Sequence, residues 1–270
     1  MMRSLWIAKT GLDAQQTSLD TISNNLANVS TTAFKKVRPI FDDLLYQTLR
    51  VAGLDDEKGQ PLNTGLQVGM GSRVAASQRI NSQGTLAQSQ NPLDVAVNGL
   101  GYLKVQTNNP TGNEPKVFGY TRAGNLMRDG DSYLVTASGD WVLDKSDNKI
   151  MIPQEASDIV IGIDGGIQYY SGRPDQNGTA GPIAVYTFAN PSGLMSAAGG
   201  VYYETIASGS AVQGNPGSNG VGSISQYYTE QSNVNVAEEL VGLIAAQRAY
   251  EITAKAVTAS DQMLQKLGQM

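Results

Sequence analysis

Neither cysteine nor histidine occurs anywhere in the sequence. The first absence removes any disulfide framework, so the fold tolerates oxidising and reducing compartments alike. The two together exclude a Cys/His zinc site, a Ser-His-Asp triad and a Cys-His nucleophile pair. Charge is scarce as well. Asp, Glu, Lys and Arg make up 16% of the 270 residues, against about 25% in an average domain. The 19 basic residues are outnumbered by 24 acidic ones, which argues against a nucleic-acid partner. The one basic cluster, Lys35, Lys36 and Arg38, is followed at once by Asp42 and Asp43 and reads as a solvated loop.

Long apolar runs are missing too. The longest apolar or Gly run, Leu240 to Ala246, falls far short of the roughly 20 residues a membrane helix needs. At the N-terminus Lys9, Asp13 and several Gln interrupt the apolar stretch, and no small-residue cleavage site follows an apolar core. The expectation is a soluble chain with no membrane insertion, either cytoplasmic or exported by a route other than Sec.

What fills the space is uncharged polar: Ser, Thr, Asn and Gln, with 30 Gly. That mix suits a turn-rich β region with a neutral surface, and the chain is long enough to bury a core. Each end carries a helical pattern instead. Leu5, Ala8, Leu12, Gln15, Leu19, Ile22, Leu26 and Val29 step by three and four, the spacing of a helix with one seam facing a partner. Val236, Leu240, Leu243, Gln247, Tyr250, Ala254, Val257, Asp261 and Leu264 repeat the pattern, with Val241, Ile244 and Leu267 widening it. Gly11 costs the first helix about 1 kcal/mol relative to Ala, so a packing partner is expected. Asn235 with Glu238 three residues on predicts the start of the second.

Between the helices the period is two. Asn98-Gly99 predicts a hairpin joining the strand ending at Val97 to the one starting at Tyr102. Asp164-Gly165 predicts another between Ile159–Ile163 and Ile167–Tyr170, and Asp129-Gly130 a third. The fold class expected is α+β: terminal helices paired as a coiled-coil-like core domain, a discontinuous all-β domain inserted between them, and a long hairpin-like stretch after the first helix. In numbers, 1–33 and 231–270 form the helical core and 34–85 a connector with an extended stretch at 46–71. Residues 86–208 form the β domain, and 209–230 a Gly-rich connector back.

No active site emerges. Asp and Glu are the only credible acid–base groups, and Asp94, Asp129, Asp131, Asp140, Asp144, Asp147, Asp158 and Asp164 sit mostly where turns favour Asp for its local backbone bonds. Asp144 to Asn148 lacks the Gly and Glu of a calcium loop. No catalytic, cofactor or metal residue is assigned.

Ser23-Asn24-Asn25-Leu26-Ala27-Asn28-Val29-Ser30-Thr31-Thr32-Ala33-Phe34-Lys35 resembles the N-terminal signature of the bacterial flagellar rod and hook proteins. Gln231 to Leu240 and Ala246-Gln247-Arg248-Ala249-Tyr250-Glu251 resemble their C-terminal signature. Lys255 to Val257, Asp261 to Leu267 and the stretch 46–71 resemble the branch of that family with an extra segment at that place. Ala33 stands where the family usually has Gly, which puts an expected backbone bend in doubt.

The resemblance implies a non-enzymatic subunit exported unfolded by the flagellar type III apparatus. It implies a helical tubular homopolymer, the terminal helices inside and the β domain outside, with the ends ordering on assembly. Implied partners are further copies, proximal rod proteins, the hook protein and the surrounding P and L rings, from the periplasm to the outer membrane. Leu5, Leu12, Leu19, Ile22 and Leu26 on the first helix would carry assembly. So would Val236, Leu240, Leu243, Ile244, Tyr250, Val257, Leu264 and Leu267 on the last; Asn24, Asn25, Asn28, Gln247, Arg248 and Tyr250 are signature positions. Rival readings are another axial protein, a rod-associated wall-cleaving glycosidase and a β-rich adhesin or phage-tail-like protein.

Overall fold

A computed structural model describes residues 2–50, 65–107, 117–171, 177–218 and 220–269. Residues 51–64 of the extended stretch expected at 46–71 lie outside them. The chain divides into two compact units. The first comprises Met1–Ala27, Val37–Arg79 and Asn235–Met270, and the second comprises Asn28–Lys36 and Ile80–Val234.

The first unit is built on two helices, α1 (Met2–Ala27) and α2 (Val236–Gly268). Asn235 caps α2, its Oδ1 accepting the Ala237 N–H at 3.1 Å, a bond worth about 1 kcal/mol. Glu238 and Glu239 occupy the first turn and Lys266 the last, the arrangement that suits the helix dipole. The helices pack together. Asn25 meets Glu239, Gly242 faces Ile22, and Gly11 faces Thr253. These pairs climb one helix while descending the other, so α1 and α2 run antiparallel. A methyl group on Gly11 would lie 3.5 Å from Thr253 Cγ2. The glycine's helical cost is therefore borne at the contact between the helices.

Two ribbons complete this unit. Val37–Asp43 pairs antiparallel with Ser72–Arg79, with a bulge between Ile40 and Phe41, and Tyr46–Arg50 pairs with Leu66–Gly69. Pro39 lies within a strand, opposite Ser77. The Ile80 N–H donates to the Lys36 carbonyl, so in this register Pro39 falls at a non-bonded pair whose N–H would face the open edge, and its absence costs no ladder bond. Gly71 is at φ +114°, and any side chain there would collide with Thr10 of α1.

The second unit carries a nine-stranded sheet along Met195–Ser196, Val201–Tyr203, Phe118–Thr121, Tyr102–Gln106, Trp141–Val142, Leu134–Thr136 and Leu126–Arg128. Val185–Thr187 also pairs with Tyr102–Gln106, and with Val212–Gly214 on its other side. Alternation along the strands fills both faces. Leu103, Val105, Val142 and Val185 enter a core with Ile150, Ile152, Ile167 and Ile183. Tyr102, Tyr120, Tyr186, Phe188 and Tyr202 form a second layer on the other side. The rings there meet edge to face, Tyr120 and Phe188 at 4.8 Å and 85°, the geometry that ring quadrupoles prefer. A separate sheet of Ala156–Ile161, Ile167–Ser171 and Gly178–Ala180 contains the Asp164-Gly165 hairpin. The Asp129-Gly130 pairing forms as well.

Three sequence expectations fail here. Asn98-Gly99 closes no hairpin: Val95–Asn98 pairs with Ser223–Gln226, and Tyr102–Gln106 pairs with other strands. Gly99 and Gly101, at φ +113° and +144°, turn the chain out of one sheet and into another. The stretch 209–230 is no simple connector either, since it contributes the strands Val212–Gly214, Ser223–Gln226 and Tyr228–Glu230.

Third, Lys35 is not in a solvated loop. It is 2% exposed, and its Nζ donates to Glu230 Oε1 at 2.6 Å and to the Ser82 carbonyl at 2.7 Å. Arg122 Nε reaches Glu230 Oε2 at 2.9 Å, and the Gly84 N–H donates to Oε1 at 2.8 Å. Burial pushes the Lys35 ammonium below its ordinary pKa, while Glu230 pulls the other way. Next to this group Asn233 Nδ2 donates to the Ile80 and Ser82 carbonyls, and its Oδ1 accepts the Lys36 N–H at 2.7 Å.

Ala33 keeps the bend that its lack of Gly put in doubt. It sits at φ +57°, 6% exposed, and its N–H donates to the Glu230 carbonyl at 2.8 Å. The left-handed conformation costs a non-glycine residue roughly 1–2 kcal/mol, and a buried methyl returns about 0.8 kcal/mol. The methyl recovers only part of that cost, and the surrounding fold carries the remainder.

Candidate assembly surfaces

The strip of α2 nearest α1 is made of small residues and one acid. Ala246 and Glu239 are buried, Gly242, Ala249 and Thr253 half-buried. Asn25 ties the upper end: it is 1% exposed, donates to Glu239 Oε2 at 3.2 Å and to the Val37 carbonyl at 2.8 Å, and accepts the Val37 N–H at 3.0 Å. Sequence reading missed this strip because hydrophobic periodicity weights large side chains. The signal available was the three-and-four spacing of Glu239, Gly242, Ala246, Ala249 and Thr253.

The predicted assembly positions divide accordingly. On α1, Leu5, Leu12, Leu19, Ile22 and Leu26 are all half-buried. On α2, Leu243, Val257 and Leu264 are half-buried, whereas Val236, Leu240, Ile244 and Tyr250 are exposed, as are Val241 and Ile252 beside them. The Leu267 side chain lies outside the described set. Gln247 and Arg248 face solvent, as does Asn24; Asn28 is half-buried. Val241, Ile244, Ala245, Arg248, Ala249 and Ile252 line one shallow groove along α2. Val241 and Ile252 are 68% and 67% exposed, and an apolar stripe of this kind marks an interaction face more often than a solvated one.

Of the candidate carboxylates, Asp147 pairs with Lys104 at 2.6 Å, Asp94 accepts from Ser89 Oγ and Asn91 Nδ2, and three others bond the amides of their own turns. Asp129 accepts the Gly130 N–H at 2.7 Å, Asp144 those of Ser146 and Asn148 at 2.7 and 2.8 Å, and Asp164 that of Gly166 at 3.2 Å. Among the described residues no group of three or more Asp and Glu could hold a metal ion, and no helix is long and apolar enough to cross a membrane.

Two phenols behave unusually. Burial, then the charges of Glu204 and Asp147, pushes Tyr120 up to about 12; burial and then Asp147 raises Tyr186 to about 12. An acid whose folded pKa is raised stabilises the fold fully below its unfolded pKa, about 10, and that stability is lost as pH climbs through the folded value. Absorbance titration of the 12 tyrosines should therefore show a late group ionising only near pH 12, together with loss of near-ultraviolet circular dichroism. Ionisation of every tyrosine near pH 10 with the fold intact would contradict this.

Comparison with known proteins agrees with the two ends and the middle. The family model described as flagella basal body rod protein matches residues 5–35, the flagellar hook protein FlgE/F/G D1 domain matches 96–169, and the flagellar basal body rod FlgEFG protein C-terminal matches 225–270. The flagellar basal-body rod protein FlgG of Buchnera aphidicola subsp. Acyrthosiphon pisum is 47% identical over 270 residues, covering 100% of both chains. FlgG of Borreliella burgdorferi is 41% identical over 98% of this chain and 97% of its own, and that of Caulobacter vibrioides 40% over 100% and 99%. The chain belongs to the FlgG family of flagellar basal-body rod proteins. That is the distal rod branch of the rod and hook proteins whose signatures the two ends resemble. Members of the FlgG family are structural subunits of the basal-body rod and not enzymes.

Proposed function

We propose that this chain polymerises into the distal part of the rod as a rigid helical tube, a drive shaft passing torque from the motor to the hook. In this reading α1 and α2 pair in a coiled-coil-like fashion within one subunit, and the helix pairs of neighbouring copies pack together along the axis. A heterologous contact that does not close on itself generates such a filament. The half-buried leucines and Ile22 of α1, with Leu243, Val257 and Leu264, hold the pair. Val236, Leu240, Ile244 and Tyr250, with Leu267, meet other copies. The observation that carries the reading is the set of large apolar residues on α2 that α1 leaves uncovered. Proximal rod proteins, the hook protein and the P and L rings are the expected neighbours, between periplasm and outer membrane, after type III export without a cleaved Sec signal.

The stretch 46–71 is proposed to stiffen the polymer through added contacts. Deleting it should yield rods that bend like hooks in electron micrographs of isolated basal bodies. Rods as straight as the parent's would remove that role.

A further inference from the structure

The second unit is held together in two chemically different ways. Its main buried apolar cluster begins at Val95 and ends at Ile224. The marginal segments 28–36, 80–89 and 227–234 contribute none of its residues. They are joined instead by the Glu230 ion group, by Asn233, and by the short pairing of Leu86–Gln88 with Tyr228–Glu230.

Charge within that ion group does not balance. Two cations, Lys35 at 2% and Arg122 at 3% exposure, share one carboxylate at 0%. Carbonyl oxygens of Ser82, Val97 and Gly99 accept further donors of the two cations, the last at 2.6 Å. Removing Glu230 leaves two buried like charges facing each other without an anion, which is severe. Removing Lys35 leaves a balanced Arg122–Glu230 pair, which is mild.

We propose that these marginal segments form a clasp, a cooperative unit latched by Glu230 that opens without unfolding the core from Val95 to Ile224. Cooperative sub-global opening of this kind follows contiguous units with their own stability. Open, the clasp frees residues 28–36 and 231–234, the stretches that follow α1 and precede α2 in sequence.

Native-state hydrogen exchange read by mass spectrometry on the full chain tests this with two variants. Glu230→Gln should speed exchange of amides in 33–36, 84–88 and 228–231 by about a hundredfold or more, while amides of Leu103, Val105 and Val142 keep the parent's rate. Lys35→Met should change the same marginal amides by less than about tenfold. Equal acceleration of core and margins by Glu230→Gln would overturn the clasp, since the unit would then open as one. So would unchanged margins, or a Lys35→Met effect as large as that of Glu230→Gln, which would make packing and not charge the latch.

Discussion

Glutamates in place of Val241 and Ile244 are expected to leave a monomer indistinguishable from the parent and to abolish its entry into rods. Both side chains are exposed on α2, at 68% and 49%. Exposed substitutions away from caps and ion groups usually change stability by less than about 0.5 kcal/mol, and Glu is a good helix former. In a filament the same positions would lose about 1.5–3 kcal/mol each of apolar burial, and unpaired carboxylates would face desolvation costs of several kcal/mol. Every subunit would bear that loss. Far-ultraviolet circular dichroism of the purified variant should overlay the parent's. Basal bodies from cells producing only the variant should lack the distal rod, and the cells should not swim. Rods of normal length containing the double variant would remove this face of α2 from the assembly.

Gly124→Ala is expected to cost the second unit about 3 kcal/mol or more, beyond ordinary overpacking. Gly124 holds the start of the buried strand Val95–Asn98, its carbonyl accepting the Val95 N–H at 2.9 Å. A methyl group there would run into the Val95 carbonyl oxygen and press on Val95 Cγ2 at 3.3 Å. Backbone carbonyls in a paired strand cannot swing aside as a side-chain tip can, so the strand must move. Gly124 is not among the glycines at positive φ, so the test isolates collision from conformational freedom. Thermal unfolding should shift down by roughly 6–12 °C. Gly130→Ala, with nothing within 4 Å of the added carbon, should leave the midpoint unchanged. Similar midpoints for the two variants would mean that the strand start is not fixed by this contact.

Local signals in the sequence were read correctly where the structure is local. The cap at Asn235 that starts α2 and the hairpins at Asp129-Gly130 and Asp164-Gly165 each depend on residues a few positions apart. What was missed depends on distance. Asn98-Gly99 carries a hairpin dipeptide, yet its flanking strands find better partners more than a hundred residues away at Ser223–Gln226 and nearby at Phe118–Thr121. Lys35 looked solvated because its neighbours are charged, whereas its partner is Glu230. The Gly-rich stretch 209–230 has weak intrinsic strand preference and is drawn into strands by edges already present. The seam read along α2 divides in the structure, Leu243, Val257 and Leu264 half-buried and Val236, Leu240 and Tyr250 exposed, while the small-residue strip beneath α1 gave no hydrophobic peak.

Ala33 has an implication for how such chains diverge. A left-handed backbone angle outlives the amino acid best suited to it when the surrounding fold supplies a donor's partner and a pocket for the methyl. The fold at this corner thus fixes the backbone angle without requiring glycine. Alanine here keeps the corner at a small conformational cost, which an Ala33→Gly substitution would relieve.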